Sequence, residues 1–316
     1  MSTSVLHTAD AWYVLTDASG GGATRIATAA TTTGELLADR QAIAAAVAAA
    51  PTDRVADLAL VSPVTAPCRV VAQMTNYASH VADSGMDPKT VPLTFFRKTS
   101  GSIAGPEDDI VRPAHVRLLD YEVEIGLVVG RTIPVGTGIT ADSLPEYVAG
   151  LVVTDDVSAR DVQLSRTQFY EAKSYPGFTP VGPALVLLDA DEFARFPDLR
   201  LTLSVNGEQR QNALVGGDMV YPPLEALRAL TRFQRLDPGD LVLTGTPAGT
   251  ALSAPPKAVE KIAGLLPPAL KWRLFFKGQA QNPKYLADGD VVEARIATDD
   301  GKLDLGVQRT TVRWAR

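Results

Sequence analysis

The side chains with the most chemical potential in this sequence are acidic. Glu122 and Glu124 stand two apart in the run Tyr121-Glu-Val-Glu-Ile-Gly-Leu-Val-Val129. A strand alternates faces, so both carboxylates point one way while Val123, Ile125 and Leu127 point the other. Two like charges on one face of an apolar strand repel and require a cation, a basic side chain or a shared proton. The plain alternative is a solvated strand face. A second acidic pair, Asp155-Asp156, ends the apolar run Gly150-Leu-Val-Val-Thr154. Carboxylates are rarely buried without a partner, so acids at the end of a buried strand point to a site. Three carboxylates converging from these segments make a hard, oxygen-only site suited to Mg²⁺, Mn²⁺ or Ca²⁺.

Such a site needs strands to carry it, and the sequence supplies them. The runs 69–73, 122–129, 148–154, 184–188 and 201–205 are β-branched or alternating and are bounded by Gly and Pro. Asn206-Gly207 predicts a two-residue hairpin, because both residues tolerate positive φ. Asp237-Pro-Gly-Asp240 and Ala287-Asp-Gly-Asp290 each read as a tight turn feeding a strand. The Ala-rich stretch 34–50, with Leu36, Leu37, Ile43 and Val47 at helical spacing and Pro51 after it, predicts one helix, and 222–233 predicts another with Pro in its first turn. The three consecutive glycines within 17–24 read as a turn. Helices are too few and too irregularly placed for an alternating βαβ chain, so the expected class is α+β, mostly β. Residues 1–66 read as a small N-terminal α/β unit and 67–316 as the main body, with Pro63 and Pro67 at the boundary.

Three other patterns carry little. Gly136-Thr-Gly-Ile-Thr-Ala141 imitates a dinucleotide fingerprint, but Pro134 and Pro145 flank it where a strand and a long helix are required. Gly245-Thr-Pro-Ala-Gly249 lacks the Gly-Lys-Ser/Thr ending of a phosphate loop. No Gly-x-Ser-x-Gly elbow occurs.

Composition narrows the function classes. The 316 residues are 46% hydrophobic and 21% charged, an ordinary globular balance. The net charge of -6 argues against nucleic acid as a partner. A single cysteine, Cys68, excludes an intrachain disulfide and a Cys-rich zinc site. Residues 1–10 show no basic segment followed by an apolar stretch, and the longest apolar run, 42–50, is far shorter than a membrane span. The expectation is a soluble, cytoplasmic protein without a membrane partner. With only His7, His80 and His115, histidine chemistry has few candidates.

At the level of ordered motifs the chain resembles the fumarylacetoacetate hydrolase family. The matching segments are Asn76-Tyr-Ala-Ser-His80, Pro92-Leu-Thr-Phe-Phe-Arg-Lys98, Asp120-Tyr-Glu-Val-Glu124 and Asp155-Asp-Val-Ser-Ala-Arg-Asp-Val-Gln163. Lys173, Pro180-Val-Gly-Pro183, Val205-Asn-Gly207, Pro238-Gly-Asp240 and Thr244-Gly-Thr-Pro-Ala-Gly249 continue the series. The resemblance runs from 69 to 249 and resumes over 285–316. It implies a mixed β-roll core carrying Mg²⁺ or Mn²⁺ on Glu122, Glu124 and Asp156, with Lys173 near the ion. It implies a small 2-oxo acid as substrate and a homodimer. Family members cleave C–C bonds in acylpyruvates and related 1,3-dicarbonyl acids, and others decarboxylate, hydrate or tautomerise similar acids.

With that resemblance in place, His80 becomes the expected base for activating water, with Asp83 three residues on as its partner on one helical face. The alternative is a surface His–Asp pair. Arg160 and Gln163 follow Asp156 by four and seven residues, so a helix would align them as substrate contacts, a guanidinium suiting a carboxylate; a structural ion pair with Asp161 or a neighbour is the alternative for Arg160. Thr246 offers a hydroxyl and a backbone N–H to a substrate oxygen. Tyr77 and Tyr170 either line the pocket or pack. Asp155 stands where relatives often carry Asn, Asp83 where they often carry Glu. The segment 252–284 is longer than in compact relatives and reads as a lid, a dimer contact or a surface excursion. The expected function is a metal-dependent C–C hydrolase of acylpyruvate-type substrates. The alternatives are a decarboxylase, hydratase or tautomerase on the same fold, and a non-catalytic ligand-binding member.

Overall fold

A computed structural model of the chain describes residues 2–16, 21–166, 169–252 and 266–315. Residues 17–20 of the expected glycine turn at 17–24 and the stretch 253–265 of the long excursion lie outside the described residues. The main sheet runs in the order Asp53–Arg54, Gly22–Arg25, Trp12–Leu15, Thr3–Thr8, Leu185–Leu187, Val148–Asp155, Val123–Val129, Leu241–Leu243, Val70–Met74, Thr94–Lys98, and Leu60–Val61 also pairs with Thr3–Thr8. Only Leu241–Leu243 and Val70–Met74 pair in parallel in this sheet. A second sheet is ordered Glu208–Leu214, Leu199–Val205, Val291–Thr298, Asp304–Trp314, Ile110–Arg112. The mostly β, α+β architecture expected from the strand pattern is the one observed.

Strand alternation decides what covers each face of the main sheet. Val123, Ile125 and Leu127 are fully buried and share one core with Leu201, Leu203, Ile296 and Leu305 of the second sheet. Val128, of the opposite parity, packs in a second core with Val152, Leu241 and the N-terminal residues Leu36, Leu37 and Ile43. Gly126 sits between, where an added Cβ would meet Val152 Cγ2 at 2.6 Å and Leu241 Cδ1 at 2.8 Å. Truncating a residue such as Ile125 or Leu127 to Ala is expected to cost about 2–5 kcal/mol, because both lie in a close-packed seam.

The turn chemistry follows its residues. Asn206 and Gly207 both adopt positive φ, 53° and 79°, and join the two strands of the expected hairpin. The two look-alike turns are built alike: Asp240 N–H donates to Asp237 O at 3.0 Å, and Asp290 N–H to Ala287 O at 3.2 Å. In each, the last Asp carboxylate accepts the first residue's N–H at 2.7 Å. The helix expected over 34–50 is two helices, Thr33–Ala38 and Arg40–Val47. Asp39 breaks it, because its carboxylate caps the second helix at Ala42 N–H and also accepts from the Thr28 hydroxyl at 2.7 Å. The second expected helix is shorter than read, Pro223–Leu230. The N-terminal strands extend the main sheet, since Thr3–Thr8 pairs with Leu185–Leu187. Among the described residues no helix is long and apolar enough to cross a membrane.

Candidate active site

Two neighbouring antiparallel strands bring the acidic trio together. Val123–Val129 and Val148–Asp155 pair with Val123 opposite Asp155 and Glu124 opposite Thr154. The ladder extends one step further, where Asp156 N–H donates to Glu122 O at 2.8 Å. Ligand oxygens of Glu122, Glu124 and Asp156 consequently lie within 4.8 Å of one another, all buried. Asp155, on the opposite parity, faces away from this cluster and accepts Glu122 N–H at 2.7 Å. Burial pushes its carboxyl up to about 7. It thus braces the Glu122 backbone and adds no full negative charge to the site.

Glu124 accepts Gly245 N–H at 2.7 Å. Gly245 adopts φ 85°, and an added Cβ there would lie 2.7 Å from Asn76 Cβ, so only glycine brings this N–H to the carboxylate. Burial, then repulsion from Asp156 and Glu122, holds Glu124 well above the usual carboxylate range. Glu122 is the opposite case: burial works against its charge, but Lys173 and Arg160 outweigh it and hold the group down at about 2.

The sequence reading assigned one cation to this cluster, and the structure shows three. Lys173 Nζ bridges Glu122 at 2.6 Å and Asp156 at 2.7 Å. Burial alone would lower its pKa, but Asp156 and Glu122 raise it. Lys98 Nζ pairs with the other Asp156 oxygen and donates to Phe178 O at 2.8 Å. Arg160 pairs with Glu122, with Asp120 at 2.8 Å, and donates to Gln163 Oε1 at 2.9 Å. The Arg160 ion pair left open at the sequence level is therefore with Asp120 and Glu122, not Asp161. Lys98 and Asp120 are the residues sequence reasoning missed. Both sit inside segments quoted for the resemblance, and the available signal was a charged residue closing an apolar run.

Charge accounting tests whether this cluster suits a divalent cation. Lys98, Lys173 and Arg160 face Asp120, Glu122, Glu124 and Asp156, all of them buried. Bound divalent charge would turn a deficit of one into an excess of one. The donor set is all oxygen, the choice of a hard ion, and Glu124, raised by burial and then by Asp156 and Glu122, is a carboxylate whose ionised form such an ion would favour.

His80 and Asp83 share the helix Ala78–Asp83, the condition on which their pairing was expected. No side chain of its own caps this helix; Asp218 does so, accepting Ser79 N–H at 2.7 Å and the Ser79 hydroxyl at 2.6 Å. Asn76 ties the preceding loop to the Gly245 turn, donating to Thr244 O at 2.8 Å. His80 faces the same cleft as Glu122, Glu124, Arg160 and Lys173, a cavity of about 640 Å³. Burial lowers its pKa, Arg160 and Lys173 lower it further, and Glu122 and Asp83 only partly oppose them. The imidazole is therefore neutral at neutral pH. The expected dyad is not hydrogen-bonded: His80 Nδ1 is buried without a partner among the described residues.

The other expected contacts divide. Gln163 lines the cleft. Thr246 also lines it, but its hydroxyl is committed, donating to Val123 O at 2.9 Å and accepting from Gln211 at 2.8 Å; only its backbone N–H remains for a ligand among the described residues. Tyr77 is fully buried in the core, not in the cleft. Tyr170 is 57% exposed and outside the cleft, where its neighbour Phe169 takes the lining position. A tyrosine's type announces amphipathicity, while tertiary packing decides which of two adjacent aromatic rings faces in. Of the long excursion, the helix Pro268–Gln279 places Trp272 and Phe275 on the cleft.

Comparison with known proteins agrees with this geometry. The family model for the fumarylacetoacetate (FAA) hydrolase C-terminal region matches residues 69–313. A rat protein named oxaloacetate tautomerase Fahd2a, mitochondrial, is 37% identical over 218 residues, 69% of this chain and 66% of its own length. A 2,4-didehydro-3-deoxy-L-rhamnonate hydrolase from Sphingomonas sp. is 35% identical, covering 69% of this chain and 77% of that one. The crystal structure of a probable 2-hydroxyhepta-2,4-diene-1,7-dioate isomerase from Mycobacterium abscessus superposes with a TM-score of 0.76 at 28% identity, covering 100% of both chains. The family model matches most of the chain, and the chain belongs to the fumarylacetoacetate hydrolase family.

Proposed function

We propose that this chain is a divalent-cation-dependent enzyme that hydrolyses a C–C bond in acylpyruvate-type 2-oxo acids. The observation that carries the reading is a half-buried His80, its pKa lowered chiefly by burial, on a cavity also lined by Glu122 and Glu124, with the Asp156 carboxylate clustered beside those two. Mg²⁺ or Mn²⁺ held by that trio would supply a Lewis acid for the vicinal oxygens of the substrate and for the enolate charge that develops as the bond breaks. The protein's part is then positional and protonic. Lys173 and Arg160 hold Glu122 ionised, so the cluster stays ready for a cation at neutral pH. Gln163 and the Thr246 N–H offer neutral donors to a substrate oxygen. His80 takes a proton from water at its free ring nitrogen and returns it to the departing carbon.

Tautomerisation is the second reading, and one observation favours it: Asp83 makes no hydrogen bond to His80, so the relay that would support water activation is not assembled. The name of the rat relative points the same way. A non-catalytic role fits poorly with a complete set of acids, cations and base. The discriminating experiment incubates acylpyruvates and 2-oxo diacids with Mg²⁺ or Mn²⁺ and follows pyruvate release, CO₂ release and enol absorbance. Pyruvate release without CO₂ supports hydrolysis, CO₂ release decarboxylation, and enol decay without either product tautomerisation.

A further inference from the structure

The cleft has two chemically different ends. Its floor is charged. Its walls and mouth are aromatic: Phe96 and Phe169, ring centroids 5.2 Å apart, on one side, and Trp272 and Phe275, edge to face at 5.7 Å, on the excursion helix. Lys173 marks the border, its Nζ 5.6 Å from the Phe96 ring centroid. Among the described residues that line the cleft, the cations are Lys173 and Arg160, and both are committed to floor carboxylates. Apart from Lys173 beside Phe96, no cation among the described lining residues stands by these rings, and none by Trp272 or Phe275. Trp272 remains 41% exposed at the mouth, leaving a large apolar face for a ligand to cover.

Building on the 2-oxo acid reading above, we propose that the aromatic end, with Trp272 and Phe275 as its specificity-determining residues, selects substrates whose tail is an aryl or apolar acyl group. A tail ending in a second carboxylate is rejected. An aryl tail gains apolar burial and edge-to-face contact with these rings. A carboxylate there would lose its hydration and find no cation in exchange. The expected preference thus differs from the dianionic acid in the rat relative's name.

The test needs no turnover. The Mn²⁺-loaded protein is titrated calorimetrically with three inert mimics of a 2-oxo acid: oxamate, which has no tail, N-phenyloxamate, with an aryl tail, and N-oxalylglycine, with an anionic one. N-phenyloxamate is expected to bind at least ~10-fold more tightly than N-oxalylglycine. Trp272→Ala and, separately, Phe275→Leu should each lower the affinity ratio of N-phenyloxamate to oxamate, by about tenfold for the tryptophan. N-oxalylglycine binding as tightly as N-phenyloxamate, or a ratio unchanged in both variants, overturns the proposal. Failure of oxamate itself to bind the unmodified protein strikes the 2-oxo acid reading, and the tail preference falls with it.

Discussion

The floor and the mouth of the cleft are built on opposite principles. The floor is charged, buried and fully cross-linked: Glu122, Asp156, Lys173, Lys98 and Arg160 hold one another through ion pairs on sheet strands and the segments that leave them. The mouth is apolar, carried by the strand Thr94–Lys98, by Phe169 and by the helix Pro268–Gln279, and partly exposed at Trp272. Buried ion pairs demand fixed geometry, because a displaced charge loses its partner in a medium that cannot replace it. Apolar contacts tolerate substitution and shape change. The fold thus places the charged chemistry where the structure is most constrained and the apolar lining where it is least.

Five outcomes would break or sharpen that contrast. The largest concerns the floor. Glu124→Ala is expected to abolish Mn²⁺ binding and lower turnover by at least ~10³-fold, while the chain stays folded because Glu124 is already disfavoured by Asp156 and Glu122. Full activity in that variant, or in the unmodified protein with EDTA, would remove the ion from the mechanism.

His80→Ala comes next, with a loss of about 10²–10⁴ in kcat and metal affinity retained in calorimetry. Undiminished turnover would take the imidazole out of the proton path. The pH profile is an independent check. A base works unprotonated, and this imidazole is held below its ordinary value by burial and by Arg160 and Lys173. Activity should therefore persist as pH falls through about 6.5 and decline only below it. A decline beginning above that point would contradict the assignment.

Lys98→Met tests the cross-linking itself. The lysine side chain is wholly buried and its partner Asp156 nearly so. Removing it leaves one Asp156 oxygen without its cation while Lys173 still holds the other, an expected loss of about 3 kcal/mol in denaturant unfolding. A loss under about 1 kcal/mol would mean the floor is less constrained than its bonds suggest.

The smallest effects belong outside the floor. Asp83→Asn and Tyr170→Ala should each change kcat/KM by less than about threefold, since Asp83 makes no bond to His80 and Tyr170 faces solvent. A loss above ~30-fold in Asp83→Asn would show that the helix Ala78–Asp83 closes on bound substrate and completes the relay.

Legibility in the sequence divided along the same line. The trio was visible because a two-residue period puts Glu122 and Glu124 on one face, and because Asp155-Asp156 closes an apolar strand. The hairpin at Asn206-Gly207 and the paired turns at 237–240 and 287–290 were visible because their residue types tolerate few other backbones. The break at Asp39 was not, since a capping aspartate reads like any polar residue within an Ala-rich run. Nor were Lys98, Asp120 and Asp218, whose partners lie 58, 40 and 139 residues away along the chain.

By itself, then, the sequence determined strand periodicity, turn geometry and the placement of Glu122 and Glu124 on one strand face, all consequences of local backbone chemistry. Only tertiary structure decided which cation meets which carboxylate, that Asp155 turns away while Asp156 turns in, that Phe169 rather than Tyr170 faces the cleft, and that a distant helix brings Trp272 to its mouth. Those outcomes depend on the packing of segments remote in the chain, where burial strengthens each charge interaction and leaves one partner arrangement favourable.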